Sequence, residues 1–220
     1  MQITFRLNEK LYLRDPQETE LGRRILEHGI RLIDELGFEQ FTFRKLAEAL
    51  GSAEASLYRY FENKHRLLLY LTAWYWSWLE YRMDLFTHPT MPAREKLKWY
   101  LHVLTEPKTN DPVFGFIDEE ALHRIIVNEQ DKTYLTKWVD EDNRDGLFRG
   151  YKTICSKMSA LIHACKPEYE HANTLASTIL ITCVQQQFFA EHLPSLTNIK
   201  RNQQERLQAF LEDLVSCAIR

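Results

Sequence analysis

Residues 42–68 read TFRKLAEALGSAEASLYRYFENKHRLL, two short amphipathic segments separated by a glycine. Thr42 is of a type that caps helices, because its hydroxyl accepts an otherwise unpaired backbone N–H. Gly51 is suited to end the first helix, since glycine adopts the left-handed cap conformation without a steric penalty. The pattern therefore predicts one helix over residues 43–50 and a second over residues 54–60.

The spacing of Ala47, Gly51 and Leu57 predicts how these two helices pack. A small residue at 47 lets the second helix cross close to the first, and Leu57 fills the space between them. Such a helix-turn-helix can place its second helix in the DNA major groove. The alternative is a helical hairpin inside an ordinary bundle, which also uses short glycine-containing loops. The spacing alone leaves both interpretations open.

Residues 21–70 resemble the N-terminal part of the tetracycline-repressor (TetR) family of transcriptional regulators. The matching elements are Leu36-Gly37-Phe38, Thr42, Leu46-Ala47, Gly51, Leu57-Tyr58, Tyr60-Phe61, Asn63-Lys64 and Leu67-Leu68. The resemblance implies an all-α fold: an N-terminal three-helix helix-turn-helix DNA-binding domain, and a C-terminal helical bundle for ligand binding and dimerisation. It further implies a ligand-responsive regulator, and members of this family usually repress transcription. The rest of the chain matches only in length and helical character.

Two sets of DNA-binding residues follow from the resemblance. Contacts with the phosphate backbone are implied for Thr42, Tyr58, Tyr60 and Lys64. Positions facing the groove are Arg44, Glu54, Ala55, Ser56 and Arg59, and Lys45 adds a further positive charge to the same stripe. A bidentate contact to guanine is the natural role of Arg59. The alternative for Arg59 is a surface arginine bonded to a phosphate or to Glu62.

The charge of this region departs from the family pattern. Glu54 stands where a basic residue is common; it repels phosphate, although it could accept a hydrogen bond from a cytosine amine. Residues 1–70 hold eleven Lys and Arg against eleven Asp and Glu. We therefore expect modest, salt-sensitive DNA binding that depends on dimerisation. A second hypothesis is a ligand-binding or scaffold dimer that has lost its affinity for DNA.

Composition limits the remaining functions. The net charge of the 220 residues is −3, which indicates no general attraction to nucleic acid or membranes. Four cysteines show no paired metal-ligand motif, so we expect reduced thiols and a cytoplasmic protein. We predict no signal peptide, and the longest apolar run, residues 67–79, is too short to span a bilayer. No cofactor is predicted.

Sparse prolines and glycines divide the chain into helices. We predict helices over residues 18–36, 43–50, 54–60, 64–87, 92–106, 116–128, 132–141, 146–165, 168–192 and 201–218. The predicted domains are an N-terminal extension over residues 1–17, a helix-turn-helix DNA-binding domain over 18–63, and a helical ligand-binding and dimerisation domain over 64–220.

The first fourteen residues show a different pattern, the two-residue period of a strand. The alternating apolar residues are Ile3, Phe5, Leu7, Leu11 and Leu13. Asn8-Glu9 could turn a short hairpin between them. An isolated hairpin is marginal in water, so this segment must pack on the rest of the chain or form a mobile arm. It is not basic, and we assign it no DNA contact.

Aromatic residues concentrate in the helix predicted over residues 64–87. Trp74, Trp78 and Tyr81 share one face, and the aromatic residues expected to meet them are Trp99, Phe114 and Phe116. The resemblance implies an apolar chamber in the C-terminal domain that binds a small effector. Aromatic walls suit an apolar or planar molecule. Ordinary core packing is the alternative for each of these aromatics.

The helices near residues 168–192 and 201–218 are candidates for a homodimer interface. The first is apolar around much of its circumference and needs cover on several sides. The resemblance implies that two such late helices form a four-helix interface with a second copy. Two-fold symmetry would place two reading helices about one DNA turn apart on a palindromic double-stranded operator. The alternative is that both helices lie in a monomer core.

One enzyme hypothesis has some support. Glu120 and His123, and Glu168 and His171, form two Glu-x-x-His pairs on predicted helices. Di-metal helical bundles use two such pairs with two further glutamates. However, Glu168 follows Pro167 in a first helical turn, where the helix dipole already favours glutamate. A di-metal enzyme therefore stays a remote alternative.

Overall fold

The computed structural model describes residues 3–220, which form α-helices joined by turns and short 3₁₀ helices. The α-helices are α1 Glu20–Leu36, α2 Phe43–Leu50, α3 Glu54–Leu57, α4 Lys64–Leu85, α5 Ala93–Thr105, α6 Glu119–Glu129, α7 Asp131–Tyr134, α8 Val139–Arg144, α9 Arg149–Cys165, α10 Ala172–His192 and α11 Gln204–Ala218. No strand occurs in the described residues. The prediction of an all-α fold is confirmed.

Most predicted helices differ from the observed ones by up to four residues at an end, and one of them is split in two. The helix predicted over 54–60 ends at Leu57, and the helix predicted over 168–192 begins only at Ala172. The helix predicted over 132–141 is two short helices, α7 and α8. Leu135 ends α7 because its backbone leaves the helical region (φ −81°, ψ 55°). Neither glycine nor proline marks this break, so the sequence pattern did not reveal it.

The chain divides into two compact units. The first comprises residues 3–75 and 108–149, and the second comprises residues 76–107 and 150–220. The predicted domain division after residue 63 does not coincide with this one, because α1 of the first unit packs on α6. Within residues 3–220, no helix combines the length and apolar character needed to cross a bilayer.

The core of the first unit forms around α1. Its buried face carries Ile25, Leu26, Ile30 and Ile33, at the spacing of one side of a helix. Leu46 of α2 and the buried apolar face of α6 add to this core. Burying each such side chain contributes about 1.5–3 kcal/mol. The apolar pattern of α1 thereby fixes the position of the helix-turn-helix that follows it.

The second unit buries one face each of α5, α10 and α11. The buried residues are Leu97, Leu101 and Leu104 of α5, Ile179, Leu180 and Cys183 of α10, and Leu207, Leu211 and Val215 of α11. Apolar side chains also remain outside this core. Ile181 of α10 is 50% exposed and Phe210 of α11 is 44% exposed. These two helices therefore have apolar surface that the single chain does not cover.

The N-terminal segment is not a hairpin, so this prediction is wrong for the described residues. Residues 3–8 are irregular, and Glu9–Leu11 form a 3₁₀ helix capped by the Asn8 side chain. Leu7 and Leu11 are buried. The period-two pattern arises because alternate side chains of this extended segment face the body of the first unit. Residues 1 and 2 lie outside the described residues.

Candidate nucleic-acid interface and aromatic clusters

The helix-turn-helix has the caps and packing expected from the sequence. The Thr42 hydroxyl accepts the Lys45 N–H at 3.2 Å and caps α2. Gly51 adopts the left-handed conformation (φ 62°, ψ 35°), and its N–H donates to the Glu48 carbonyl. Ala47 and Leu57 are both buried. The small-glycine-apolar spacing thus produces two helices held by a sharp turn, with α3 as the second.

Accessible side chains occur on α3 and on the turn that follows it. Ala55 and Arg59 are exposed, and Glu54 and Ser56 are partly exposed. Tyr58 is 46% exposed, and its ring packs edge-on against Phe43. The Tyr58 hydroxyl donates to Glu54 Oε1 at 3.1 Å. This hydrogen bond to a carboxylate raises the pKa of Tyr58 above its ordinary value.

The positive charges near α3 differ in their freedom to bind a ligand. Arg44 Nε donates to Glu48 at 3.1 Å, and Lys45 Nζ donates to the Gln40 carbonyl at 2.9 Å. By contrast, within residues 3–220 the side chain of Arg59 forms no hydrogen bond or ion pair. Arg59 could therefore bind a ligand without first breaking an internal contact, and its role in reading a base stays a prediction.

Two predicted phosphate-binding residues have internal partners instead of free polar groups. Lys64 Nζ donates to the carbonyls of Phe38, Glu39 and Phe41 at 2.9–3.1 Å and lies over the Phe38 ring. Tyr60 is 3% exposed, and its hydroxyl is 2.8 Å from Thr19 Oγ1. In this arrangement both side chains hold the helix-turn-helix in place.

Further residues that the sequence did not single out hold the turn between α1 and α2. Glu129 Oε1 at the end of α6 accepts the Phe38 N–H at 2.9 Å. Lys132 bridges Glu129 at 2.8 Å and Glu39 at 2.9 Å. Because Phe38 lies about ninety positions from Glu129 in the chain, no local spacing could have revealed their hydrogen bond. They tie the head of the protein, residues 18–63, to α6 and α7.

Three of the predicted effector-binding residues lie in the first unit. Trp74 and Phe114 contact each other edge-to-face at 5.5 Å, and both are buried. The sequence did not suggest Phe5 as an effector-binding residue, yet its ring centre lies 5.3 Å from that of Trp74 and 5.6 Å from that of Phe114. We call Phe5, Trp74 and Phe114 the aromatic cluster. Phe116 lines a separate open groove of about 380 Å³ beside His28 and Arg31 of α1.

The other three predicted effector-binding residues lie in the second unit. Trp78 is buried, with the Arg82 guanidinium 5.3 Å above its ring. Trp99 donates its indole N–H to the Met83 carbonyl and packs against Phe86. Tyr81 is half-buried. Their role in effector binding stays a prediction.

The two Glu-x-x-His pairs do not form a metal centre within the described part of the chain. No group of three or more His, Cys, Asp or Glu residues there could hold a metal ion. Glu120 instead pairs with Arg124, and His123 Nδ1 lies 2.7 Å from the Tyr75 hydroxyl. The other pair, residues 168–171, lies in turns before α10 and not on the predicted helix.

Comparison with known proteins finds similarity to transcriptional regulators. The family model for "Bacterial regulatory proteins, tetR family" matches residues 25–71. The HTH-type transcriptional regulator YvaF of Bacillus subtilis (strain 168) is 27% identical over 123 residues, which cover 56% of this chain and 58% of YvaF. The chain thus matches little more than half of that relative's length.

Two solved structures share the fold. A tetR-family regulatory protein from Rhodococcus RHA1 superimposes with a TM-score of 0.64 at 13% identity, over 91% of this chain and 97% of that one. AibR, solved in complex with isovaleryl coenzyme A and operator DNA, has a TM-score of 0.53 at 16% identity, over 87% and 97% of the two chains.

Proposed function

Because this chain belongs to the tetracycline-repressor family of transcriptional regulators, we propose that it is a ligand-responsive repressor. It binds a palindromic DNA operator as a homodimer in the cytoplasm. A small apolar or planar effector weakens this binding. The observation that carries the proposal is the exposed Arg59 just after α3, which has no internal partner, together with the left-handed glycine turn that precedes α3.

The proposed DNA contacts divide into positioning and reading contacts. Thr42 and Tyr58 bind phosphates through their hydroxyls, and Arg44 and Lys45 exchange their internal partners for the backbone. Arg59 reads a guanine, with Ala55 close to the base edges. Tyr60, and Lys64 at the start of α4, hold α3 at the required angle, since both are already bonded to other parts of the head.

The proposed dimer uses α10 and α11. Ile181 and Phe210 support this proposal because they are large apolar side chains left half-exposed on these two helices. Phe188 and Phe189 of α10 are also partly exposed. A two-fold dimer doubles the number of phosphate contacts, which compensates for a head with no net positive charge. It also places two copies of α3 at the spacing of a palindrome.

The proposed effector binds beside the aromatic cluster of the first unit. AibR is described with both isovaleryl coenzyme A and operator DNA, so a protein of this fold carries both kinds of ligand. The effector acts by preferring one arrangement of the dimer over the one that fits DNA. The ion pairs of Lys132 and the Glu129–Phe38 hydrogen bond are suited to transmit such a change to the head.

Fluorescence anisotropy with DNA from the upstream region of the chain's own gene tests this function. We expect nanomolar binding that weakens steeply as salt rises, because released counterions dominate the affinity. Arg59→Ala should weaken binding, whereas Arg94→Ala, which removes an exposed arginine on α5, should not.

The scaffold hypothesis keeps one specific observation in its favour. Glu54 and Glu48 bond the side chains of Tyr58 and Arg44, which the DNA interface would need. If binding to the upstream DNA is no tighter than to random DNA at low salt, the repressor proposal is wrong and the scaffold function takes its place.

A further inference from the structure

The segment over residues 3–14, which we call the arm, is anchored at its N-terminal end in the aromatic cluster. The Phe5 ring packs edge-on against Trp74 and stacks on Phe114. The Gln17 side chain fixes the Phe5 backbone from both sides, donating to its carbonyl at 2.8 Å and accepting its N–H at 3.4 Å. Ile3 N also donates to the Val113 carbonyl. Phe5 is therefore held as one wall of the cluster.

The middle of the arm is fixed to the segment that follows α8. Asn8 Nδ2 donates to the Asp145 carbonyl at 2.7 Å, and Lys10 forms an ion pair with the Asp145 carboxylate. Leu11 is buried in the first unit. Together with the anchors at its two ends, these contacts hold the arm along its whole length.

The C-terminal end of the arm holds the turn that follows the reading helix, α3. Leu13 N donates to the Tyr60 carbonyl at 2.8 Å. Tyr60 lies in the turn after α3, which ends at Leu57. The Arg14 guanidinium lies 5.7 Å from the centre of the Tyr60 ring. The arm thus holds the turn after α3 from outside the helix-turn-helix.

We propose that the arm positions the reading helix and couples it to the aromatic cluster, so that any molecule displacing Phe5 from Trp74 loosens the hold on Tyr60. The inference deepens the proposed function and rests on it for its regulatory meaning. The arm is not itself a DNA contact. Its cations have partners inside the first unit: Arg6 pairs with Glu9, Lys10 with Asp145, and Arg14 lies over Tyr60.

Amide hydrogen exchange on the full-length protein tests the coupling without any ligand. Phe5→Ala removes the anchor in the cluster, and the readout is the exchange rate of residues 54–61 at the opposite end of the arm. We expect that exchange to rise about tenfold, within the range of ordinary coupling between sites. Arg6→Ala, whose side chain is 92% exposed on the same segment, should leave it unchanged. Residues 172–192 report any global loss of stability.

Three results separate the outcomes. Faster exchange confined to residues 54–61 supports the arm. Equal acceleration at residues 172–192, or none at 54–61, overturns it. If Phe5→Ala does not fold, Asn8→Ala takes its place. It removes only the two hydrogen bonds of the Asn8 side chain, to the Asp145 carbonyl and from the Lys10 N–H, and should also raise exchange at 54–61.

DNA binding supplies an independent readout. Phe5→Ala should weaken binding to the operator about tenfold without changing the dependence on salt, because no phosphate contact is lost. A fall in the salt dependence would instead identify the arm as a DNA contact and overturn the proposal. If the wild-type protein binds no DNA, the proposed function fails, while the exchange experiment still decides whether the arm holds α3.

Discussion

Two glycines in α1 should respond to alanine in opposite directions. A Cβ atom at Gly22 would lie 2.3 Å from the Pro16 carbonyl oxygen and 2.5 Å from the Pro16 Cα. Both neighbours are backbone atoms, which cannot rotate away as a side chain would. At Gly29, the nearest atom would be Leu67 Cδ2 at 3.4 Å, an ordinary contact. Gly22→Ala therefore forces the backbone apart, whereas Gly29→Ala fits.

The expected magnitudes follow from these distances. Relieving the clash at Gly22 requires Pro16 to move by roughly 1 Å, and overpacking of this kind costs about 1–3 kcal/mol. Replacing glycine in a helix recovers about 0.5–1 kcal/mol. Gly22→Ala should thus destabilise the protein by about 1–2 kcal/mol, which corresponds to a Tm lower by roughly 5 °C for a chain of this size. Gly29→Ala should raise Tm by about 2 °C.

Thermal unfolding followed by circular dichroism measures both variants under one set of conditions. The movement of Pro16 would also disturb Thr19, whose hydroxyl caps α1 by accepting the Gly22 N–H at 3.0 Å. If Gly22→Ala is as stable as Gly29→Ala, the close approach of the N-terminal segment to α1 does not exist in solution, and the reasoning fails.

Three further predictions concern charge and recognition. Burial raises the pKa of Glu119 from its ordinary 4.5 to about 7. Between these pH values the folded state binds a proton that the unfolded state has lost, so the free energy of unfolding should fall as pH rises from about 4.5 to 7. Glu119→Gln should remove this fall in urea titrations. Arg66→Met should cost about 3–5 kcal/mol in the same titrations by leaving the buried Asp142 carboxylate uncompensated. In anisotropy with base-substituted operators, Tyr58→Phe should weaken binding to every sequence alike, whereas Arg59→Ala should also relax preference at one base pair, by about 1–3 kcal/mol.

Controls for these variants come from the same chain. Glu95→Gln, at an exposed glutamate in the first turn of α5, should leave the pH dependence unchanged. The double variant Arg66→Met with Asp142→Leu should recover much of the lost stability, because it removes both buried charges together. If the single and double variants are equally unstable, the ion pair is not the cause.

The head was predictable from the sequence because its determinants are local. Thr42 and Gly51 act on helices that begin or end next to them, and Leu57 reaches only across one turn. The periodic apolar faces of α1 and α11 were equally clear. Where a helix stops without glycine or proline, as at Leu135, the reason is the local backbone conformation, which composition does not encode.

The structural roles of Phe5, Lys64 and Glu129 could not be predicted, because their partners are distant in sequence. Phe5 shows the alternation of a strand, yet it pairs with two aromatic rings of the first unit and with no second strand. Lys64 matches a phosphate-binding position of the family, but three carbonyls of the turn between α1 and α2 accept its hydrogen bonds. Charge and spacing do not reveal such long-range pairings.

A hydroxyl-radical footprint of the protein on its upstream DNA tests most directly whether two copies read one operator. Our account predicts two protected half-sites related by two-fold symmetry, with centres about 10 base pairs or a multiple of that apart. It also predicts that Arg59→Ala weakens both half-sites equally. A single protected stretch without symmetry, or uniform cleavage along the whole fragment, would contradict it.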